Sequence, residues 1–269
     1  MNDLIPICET NLSYAWAKAL LRTAERSFNR PPPLCVTITG FREQEPIEDS
    51  RIREAIDSKL KSRPKANKVD VSAMVVFPYR AWVRRGRASY REFRKWCLEQ
   101  FVPRLKALDE RNRRGLYFER MMAYEHFDSA GKLCQHDQIR HIIDWWKDRK
   151  LEGRRPRQSG LQISCFDPCK DHTRMPRQGF PCLQQVGLSY DPGDKDSLII
   201  NAFYPTQFIL DRAYGNYLGL CHLGAFLSHE IGVKLVQMNC FVGCAQLGDG
   251  VTKESIEPLL GLLKRTVPS

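Results

Sequence analysis

Residues 212–232 read RAYGNYLGLCHLGAFLSHEIG, a helix-length stretch that is apolar around most of its circumference. Such a helix cannot lie on a surface, because no side of it prefers water. Other elements must cover it, and Gly219, Gly224 and Ala225 leave room for them to approach closely. Polar residues interrupt it too often for a bilayer span, which needs roughly 18–20 apolar residues in a row. A chain of 269 residues is long enough to build a substantial core around it. A buried central helix is therefore the first expectation, and the remaining segments are read as its cover.

The segment after it, KLVQMNCFVGCAQL, reads as a strand, as do LCVTITGF, LQISCFDP, CLQQVGLSY and SLIINAFYP. These segments favour β-branched, aromatic or alternating residues and are bounded by turn-forming ones. VDVSAMVVFP fits the same description and is also read as a strand. Helical spacing of apolar residues appears in 10–28, with Thr10 or Asn11 as cap, and in EDSRIREAIDSKLKS. It recurs in YREFRKWCLEQFVPRLKAL, broken near Pro103, and in SIEPLLGLLKR. In DQIRHIIDWWKDRK it puts Ile139, Ile142, Ile143 and Trp146 on one face. Helices and strands do not alternate as in a βαβ protein. The expected class is α+β with a large mixed or antiparallel sheet. No internal repeat or low-complexity tract appears, and residues 1–269 are read as one domain.

Charge narrows the partners without choosing one. The net charge of +11 favours anions such as nucleotide phosphates, nucleic acid or polyglutamylated cofactors. Basic clusters at 80–94, 111–120 and 149–157 read mostly as solvated faces. RRPRQSG differs, because Arg154, Arg155 and Arg157 stand in a loop just before a strand, where arginine forks suit phosphate oxygens. Ten cysteines follow no disulfide-like framework and read as reduced thiols of a cytoplasmic protein. MNDLIPICETNLSYAWAKALL lacks a basic region followed by a clean apolar one, so neither a secretory signal nor a membrane anchor is expected.

Two readings compete for the cysteine in PRQGFPCLQQVGLSY. Taken alone, Cys182 is a small apolar core residue. A metal reading would join it to Cys165, Cys169 and His172 of CFDPCKDH, but that spacing is not a pair of CxxC knuckles, and no metal is expected. Its surroundings favour a nucleophile. Arg174 and Arg177 precede it in the same loop and are expected to lower its pKa. Asn216, near the start of the apolar helix, has the donor and acceptor that match the edge of a uracil ring, or it is an ordinary helix cap.

From Leu161 onward the order of elements resembles the thymidylate synthase family. GFPCLQQVGLSY resembles its Pro-Cys nucleophile segment. NAFYPTQFILDRAYGNYLGLCHLGAFLSHE resembles its Tyr-rich strand, turn and long helix opened by an asparagine, and VKLVQMNCFVGCAQL resembles the strand that follows. RGLYFERMMAY resembles the segment with an active-site tyrosine, here Tyr117. The match covers roughly 113–248, and residues 1–110 diverge. It implies a three-layer fold, a homodimer with sheets packed back to back, and one-carbon transfer to C5 of a pyrimidine nucleotide. The product is a methylated or hydroxymethylated pyrimidine and the donor is 5,10-methylenetetrahydrofolate. Cys182 and Tyr117 would be catalytic, and Asn216 would read the base. Gln185 and Asp167 would supply polar contacts.

Several positions depart from the family. Pro205, Thr206 and Gln207 stand where it places a phosphate-holding arginine, and Arg212 is the expected substitute. Arg155 and Arg157 lie a few residues before the positions of its paired arginines. Its Asp-x-x-x-Gly turn maps onto Asp211 and Gly215, and Gln246 stands at its ribose-binding pair. No catalytic glutamate is evident beyond Glu92 and Glu99, and the family's C-terminal folate-closing segment is expected to be missing or rebuilt. A second reading follows: a diverged synthase-like module that binds a nucleotide or nucleic acid for regulation without turnover.

Overall fold

A computed structural model describes residues 4–25, 33–63, 66–174 and 180–268. The chain begins with β1 (Ile5–Glu9), α1 (Leu12–Glu25) and β2 (Leu34–Ile38), then a small hairpin of β3 (Phe41–Arg42) and β4 (Glu45–Pro46). Helices α2 (Ser50–Lys61), α3 (Val69–Val76), α4 (Tyr79–Arg84) and α5 (Tyr90–Trp96) follow. A π-helical turn, Cys97–Phe101, joins α5 to α6 (Val102–Leu108). Next come α7 (Tyr117–Met122), a hairpin of β5 (Tyr124–Phe127) and β6 (Leu133–His136), and α8 (Gln138–Leu151). The last part holds β7 (Gln162–Ser164), α9 (Pro168–Asp171), β8 (Gln185–Asp191), β9 (Asp194–Phe208), α10 (Tyr214–Ile231), β10 (Lys234–Gln246) and α11 (Glu257–Thr266).

Six strands form one mixed sheet in the order β1-β2-β10-β9-β8-β7. β1 runs parallel to β2, and β9 parallel to β10, while the other pairs are antiparallel. The class is α+β, as expected. The apolar helix is α10, and it is buried along almost its whole length. It packs on β9 and β10 on one side and on α3, α4 and α8 on the other. Phe226 meets the rings of Phe77 at 4.8 Å and Trp82 at 5.0 Å, an aromatic knot that ties α10 to the outer helices. Core residues run from Ile7 to Leu263 in one contiguous cluster.

Local signals explain several boundaries. Asn11 starts α1 by accepting hydrogen bonds from the backbone N–H groups of Ser13 at 2.8 Å and Tyr14 at 3.3 Å. Asp49 does the same for α2, accepting from Arg51 and Ile52. Pro103 falls in the first turn of α6, directly after the π-helical turn, where a missing N–H costs least.

VDVSAMVV corrects the sequence reading: it is helix α3, not a strand. Tertiary packing overrides its β-branched composition. A Cβ on Gly215 would lie 2.4 Å from the Ser72 Cβ, and one on Gly219 would lie 2.6 Å from the Val76 Cβ. α3 and α10 are thus in near-backbone contact, which a helix with small residues on one side permits.

The two sides of the sheet differ. Leu198, Ile200, Ala202, Tyr204, Met238, Cys240 and Val242 face the helices and are buried. Across the other side runs a ladder of polar side chains. Thr37 donates to Asn239 at 2.9 Å, Asn239 to Asn201 at 2.8 Å, and Asn201 to Ser189 at 2.9 Å. Beside it Phe203 and Phe241 are exposed and stacked, 5.7 Å apart. A depression of about 370 Å³ on this side is lined by Gln162, Gln185, Ser189, Asn201 and Phe203.

Candidate active site

Cys182 lies just before β8, and Tyr117 opens α7. The Tyr117 hydroxyl accepts hydrogen bonds from the backbone N–H groups of Cys182 at 3.0 Å and Leu183 at 3.3 Å. Its ring packs on Phe180 at 4.9 Å, and the Arg120 guanidinium lies 4.7 Å from the centre of the Phe180 ring. Gly115, with φ +135°, admits this packing: a Cβ there would come within 2.9 Å of the Phe180 ring. The cysteine backbone is therefore held by a residue 65 positions earlier in the chain.

Cys182 is open to solvent, whereas Cys165, on the core side, is fully buried and its thiol is pushed up to about 12 by burial. The Cys182 thiol is also raised, chiefly because dense protein around the sulfur desolvates it. The charge of Arg212 and a hydrogen bond from Tyr117 pull it back down. Exposure decides whether a ligand reaches the sulfur, and desolvation decides its protonation, so the resting group is a reachable neutral thiol. The sequence pointed to Arg174 and Arg177 as the activating cations. Arg174 is exposed and is not among the groups that shift the thiol, and Arg177 lies outside the described residues.

Arg212 belongs to a π-helical turn, Ile209–Ala213, that leads into α10. It is half-buried, and no carboxylate forms an ion pair with it among the described residues. Burial and the like charge of Arg111 both work against its proton. A half-buried cation in this position is a ready partner for an anion. Asn216 follows one helical turn later, in the first turn of α10, and is 8% exposed.

Other expected site residues are committed elsewhere. Asp167 caps α9 by accepting from the Cys169 N–H at 3.0 Å. Asp211 is gripped by Arg63 at 2.6 and 3.0 Å and by the Asp249 N–H at 3.1 Å, which ties the loops after α2 and β10 together. Gly215 is the contact point with α3. Gln185 projects to the open side of the sheet, where it donates to Gln162 at 2.7 Å. Gln246 is exposed at the end of β10, 3.7 Å from the Cys244 sulfur. Arg155 reaches Asp196 at 3.3 Å, beside the β8–β9 turn, and Arg157 is exposed nearby. β8, Gln185–Asp191, separates that turn from the segment carrying Cys182 by about 20 Å at roughly 3.3 Å per residue. Glu92 closes a capping box with Ser89, and Glu99 lines a cleft beside α5.

Of the residues in the metal reading of CFDPCKDH, Cys165 is buried while Cys169 and His172 are exposed. Asp171 next to them is already paired with Arg120. Among the described residues no group of three or more metal-ligating side chains forms a site.

Tyr204, which sequence reasoning passed over, stands near the cysteine, and Gln207 lies three residues further along the same strand. Tyr204 is fully buried, and Tyr117, Cys165 and Cys182 are among the groups that raise its pKa. Its hydroxyl has no hydrogen-bond partner among the described residues, and neither does the Nε2 of buried Gln207. The other end of that amide accepts from Tyr217 at 3.3 Å. Buried donors without partners are rare in folded proteins and mark places where a ligand or water completes the bonding. Polar residues recurring among the apolar ones of SLIINAFYPTQF were the available signal.

The geometry thus defines an α+β protein whose solvent-facing cysteine sits beside the entrance turn of its central helix. No protein-family model matches the chain, and no curated protein matches it significantly. Among the described residues no helix is long and apolar enough to cross a membrane.

Proposed function

We propose that this protein transfers a one-carbon unit to C5 of a pyrimidine nucleotide, giving a methyl or hydroxymethyl product, with Cys182 as nucleophile. One observation carries the reading: a reachable thiol is influenced by both a tyrosine hydroxyl and an arginine that forms no ion pair among the described residues. A pyrimidine C5 is a poor nucleophile until a thiolate adds at C6 and pushes the ring electrons toward O4, making C5 enolate-like. C5 then bonds to the one-carbon electrophile and loses its proton, and the thiolate leaves C6; the donor would release its amine nitrogen and, for a methyl product, supply a hydride and be oxidised, whereas water would supply the hydroxyl of a hydroxymethyl product. The resemblance over 113–248 to the thymidylate synthase family supports the same chemistry.

In this reading Arg212 takes the anionic group of the nucleotide and favours the thiolate. Tyr117 holds the Cys182 backbone and donates toward its sulfur. Asn216 pairs with the N3–H and O4 edge of the ring. Because the resting thiol is raised, nucleotide binding or a base supplied with the substrate must remove its proton. 5,10-Methylenetetrahydrofolate as donor rests on the resemblance alone, and the proposed chemistry needs no metal. A cytoplasmic location fits ten free cysteines.

A homodimer through the open side of the sheet is part of the proposal. Its amides and hydroxyls already bond to one another, so a second copy would cover them without stranding polar groups. Arg155 and Arg157 would then act, if at all, on the site of the second copy.

The test is tritium release from C5-labelled dUMP, dCMP, UMP and CMP, with and without the folate, in wild type and Cys182→Ala. Release by wild type alone is expected. Absence of release together with absence of a covalent adduct to any 5-fluoropyrimidine nucleotide would remove the proposal.

The raised thiol favours a second reading, a diverged module that binds a nucleotide or nucleic acid without turnover. Nucleotide-dependent thermal shifts without product would select it.

A further inference from the structure

We propose that the cleft between α5 and α8 is a docking site for the phosphate backbone of a single-stranded nucleic acid. The cleft measures about 410 Å³ and is lined by Arg91, Arg94, Lys95, Leu98, Glu99, Asp137 and Arg140. Sequence reading took the cations of this region for solvated faces, and the structure separates them into two kinds.

The first kind is already neutralised. Asp137, which caps α8, accepts from the Tyr90 hydroxyl at 2.5 Å and from the Arg140 N–H at 2.9 Å, and pairs with Arg94 at 2.7 Å. Arg94 also donates to the Met122 carbonyl at 3.0 Å. The carboxylate and Arg94 therefore form a fixed floor with little net charge. The second kind is free. Arg91 and Lys95 are exposed, stand one turn apart on α5, and form no ion pair among the described residues. Arg140 rests over the Tyr90 ring at 4.8 Å and pairs with Asp144 at 3.6 Å, so it belongs with the neutralised cations. The same unpaired charge continues along the end of α4. Arg84, Arg85 and Arg87 are exposed without ion pairs among the described residues, with Arg85 over Trp96 and Arg87 over Trp82.

Several cations elsewhere are held in close pairs. Arg51 meets Asp49 at 2.8 Å, Lys106 meets Glu119 at 2.6 Å, and Arg53 meets three carboxylates. A band of cations left without carboxylates, bordering a cavity, is an electrostatic footprint for an oligoanion. Glu99 is the one acidic side chain of the cleft lining besides Asp137. Leu98 in the lining and the half-buried Trp96 ring beneath Arg85 supply apolar surface between the charges, which suits the sugars and bases of a strand better than a run of short acidic side chains. The π-helical turn carries Leu98 and Glu99 to the lip of the cleft, and such turns recur at functional sites. The inference does not depend on turnover at Cys182.

Fluorescence anisotropy with labelled DNA and RNA strands of about twelve nucleotides, from about 50 to 200 mM salt, tests it. Wild type and Cys182→Ala should bind alike, with affinity falling steeply as salt rises. Arg91→Gln combined with Lys95→Gln should weaken binding at least about tenfold and lower the salt slope by about 1.4, the share of two phosphate contacts on a single strand. Arg51→Gln, which removes an already paired cation, should change affinity less than about twofold. Both cleft side chains are exposed, so an unchanged melting temperature will show that the double variant still folds. No binding by wild type, unchanged binding by the double variant, or equal competition by oligoglutamate of matched charge would each overturn the inference, the last in favour of an acidic peptide.

Discussion

The two sides of the central sheet are built from the same strands and answer to different constraints. On the helical side Ile200, Tyr204, Met238 and Cys240 vanish under α10. On the open side their neighbours Asn201, Phe203, Asn239 and Phe241 form a mutually bonded amide ladder beside two stacked rings. The first side is stabilised by burial, so each of its atoms matters to folding. The second side makes its own hydrogen bonds and leaves its apolar area uncovered, so under the proposed homodimer its residues matter to association. A stability scan should therefore divide the sheet by face and not by strand.

The largest effect is expected beneath the helical side. Phe226→Ala should cost about 3–5 kcal/mol in urea unfolding, because the cavity would open among Phe77, Trp82, Tyr90 and Phe93. A loss below about 1 kcal/mol would mean that α10 is not the keystone.

His222, on the same helix, is stacked on Tyr79 at 4.8 Å and is lowered to about 3 by burial, with Arg80 adding to the effect. Its ordinary value is near 6.5, so the unfolded chain binds the extra proton first. Stability from this neutral histidine is full above about pH 6.5 and is lost as the pH falls toward 3. His222→Leu should flatten that acid limb by on the order of 3 kcal/mol relative to wild type, measured by urea titrations across the range.

Tyr204→Phe sharpens the comparison by moving two observables in opposite directions. Removing an unpaired buried hydroxyl should raise stability by about 1 kcal/mol. The same change should weaken binding of the pyrimidine nucleotide, if that hydroxyl completes the wall behind Cys182. Higher stability with unchanged affinity would make Tyr204 purely structural.

The smallest change in folding belongs to the open side. Phe203→Ser with Phe241→Ser should alter monomer stability by no more than about 0.5 kcal/mol. Sedimentation should nevertheless shift from dimer to monomer. A wild type that sediments as a monomer would break the proposal for this face.

Much of the architecture was legible before the fold. The all-round apolar pattern of α10, the alternation in β8, β9 and β10, and the 139-142-143-146 stripe of α8 are each carried within a few consecutive residues. The two small hairpins were missed because two- and four-residue strands carry too little pattern. For the site, the sequence could nominate Cys182, Tyr117, Arg212 and Asn216. It could not tell that Asp167, Asp211 and Gly215 are used as a cap, a loop clamp and a helix contact. It also missed Tyr204 and the unpartnered amide of Gln207, because an orphaned hydrogen bond exists only relative to neighbours.

What the sequence determined by itself was periodicity: which segments want burial on one side, on alternate sides or all round. That is a local property, set by side-chain spacing along the backbone. The tertiary structure alone decided that a valine-rich segment becomes helix α3, because the glycines of α10 let it approach. It also decided which cysteine meets solvent and which cations go unpaired. Those outcomes depend on charges and surfaces that folding brings together from distant positions, where local propensity has no say.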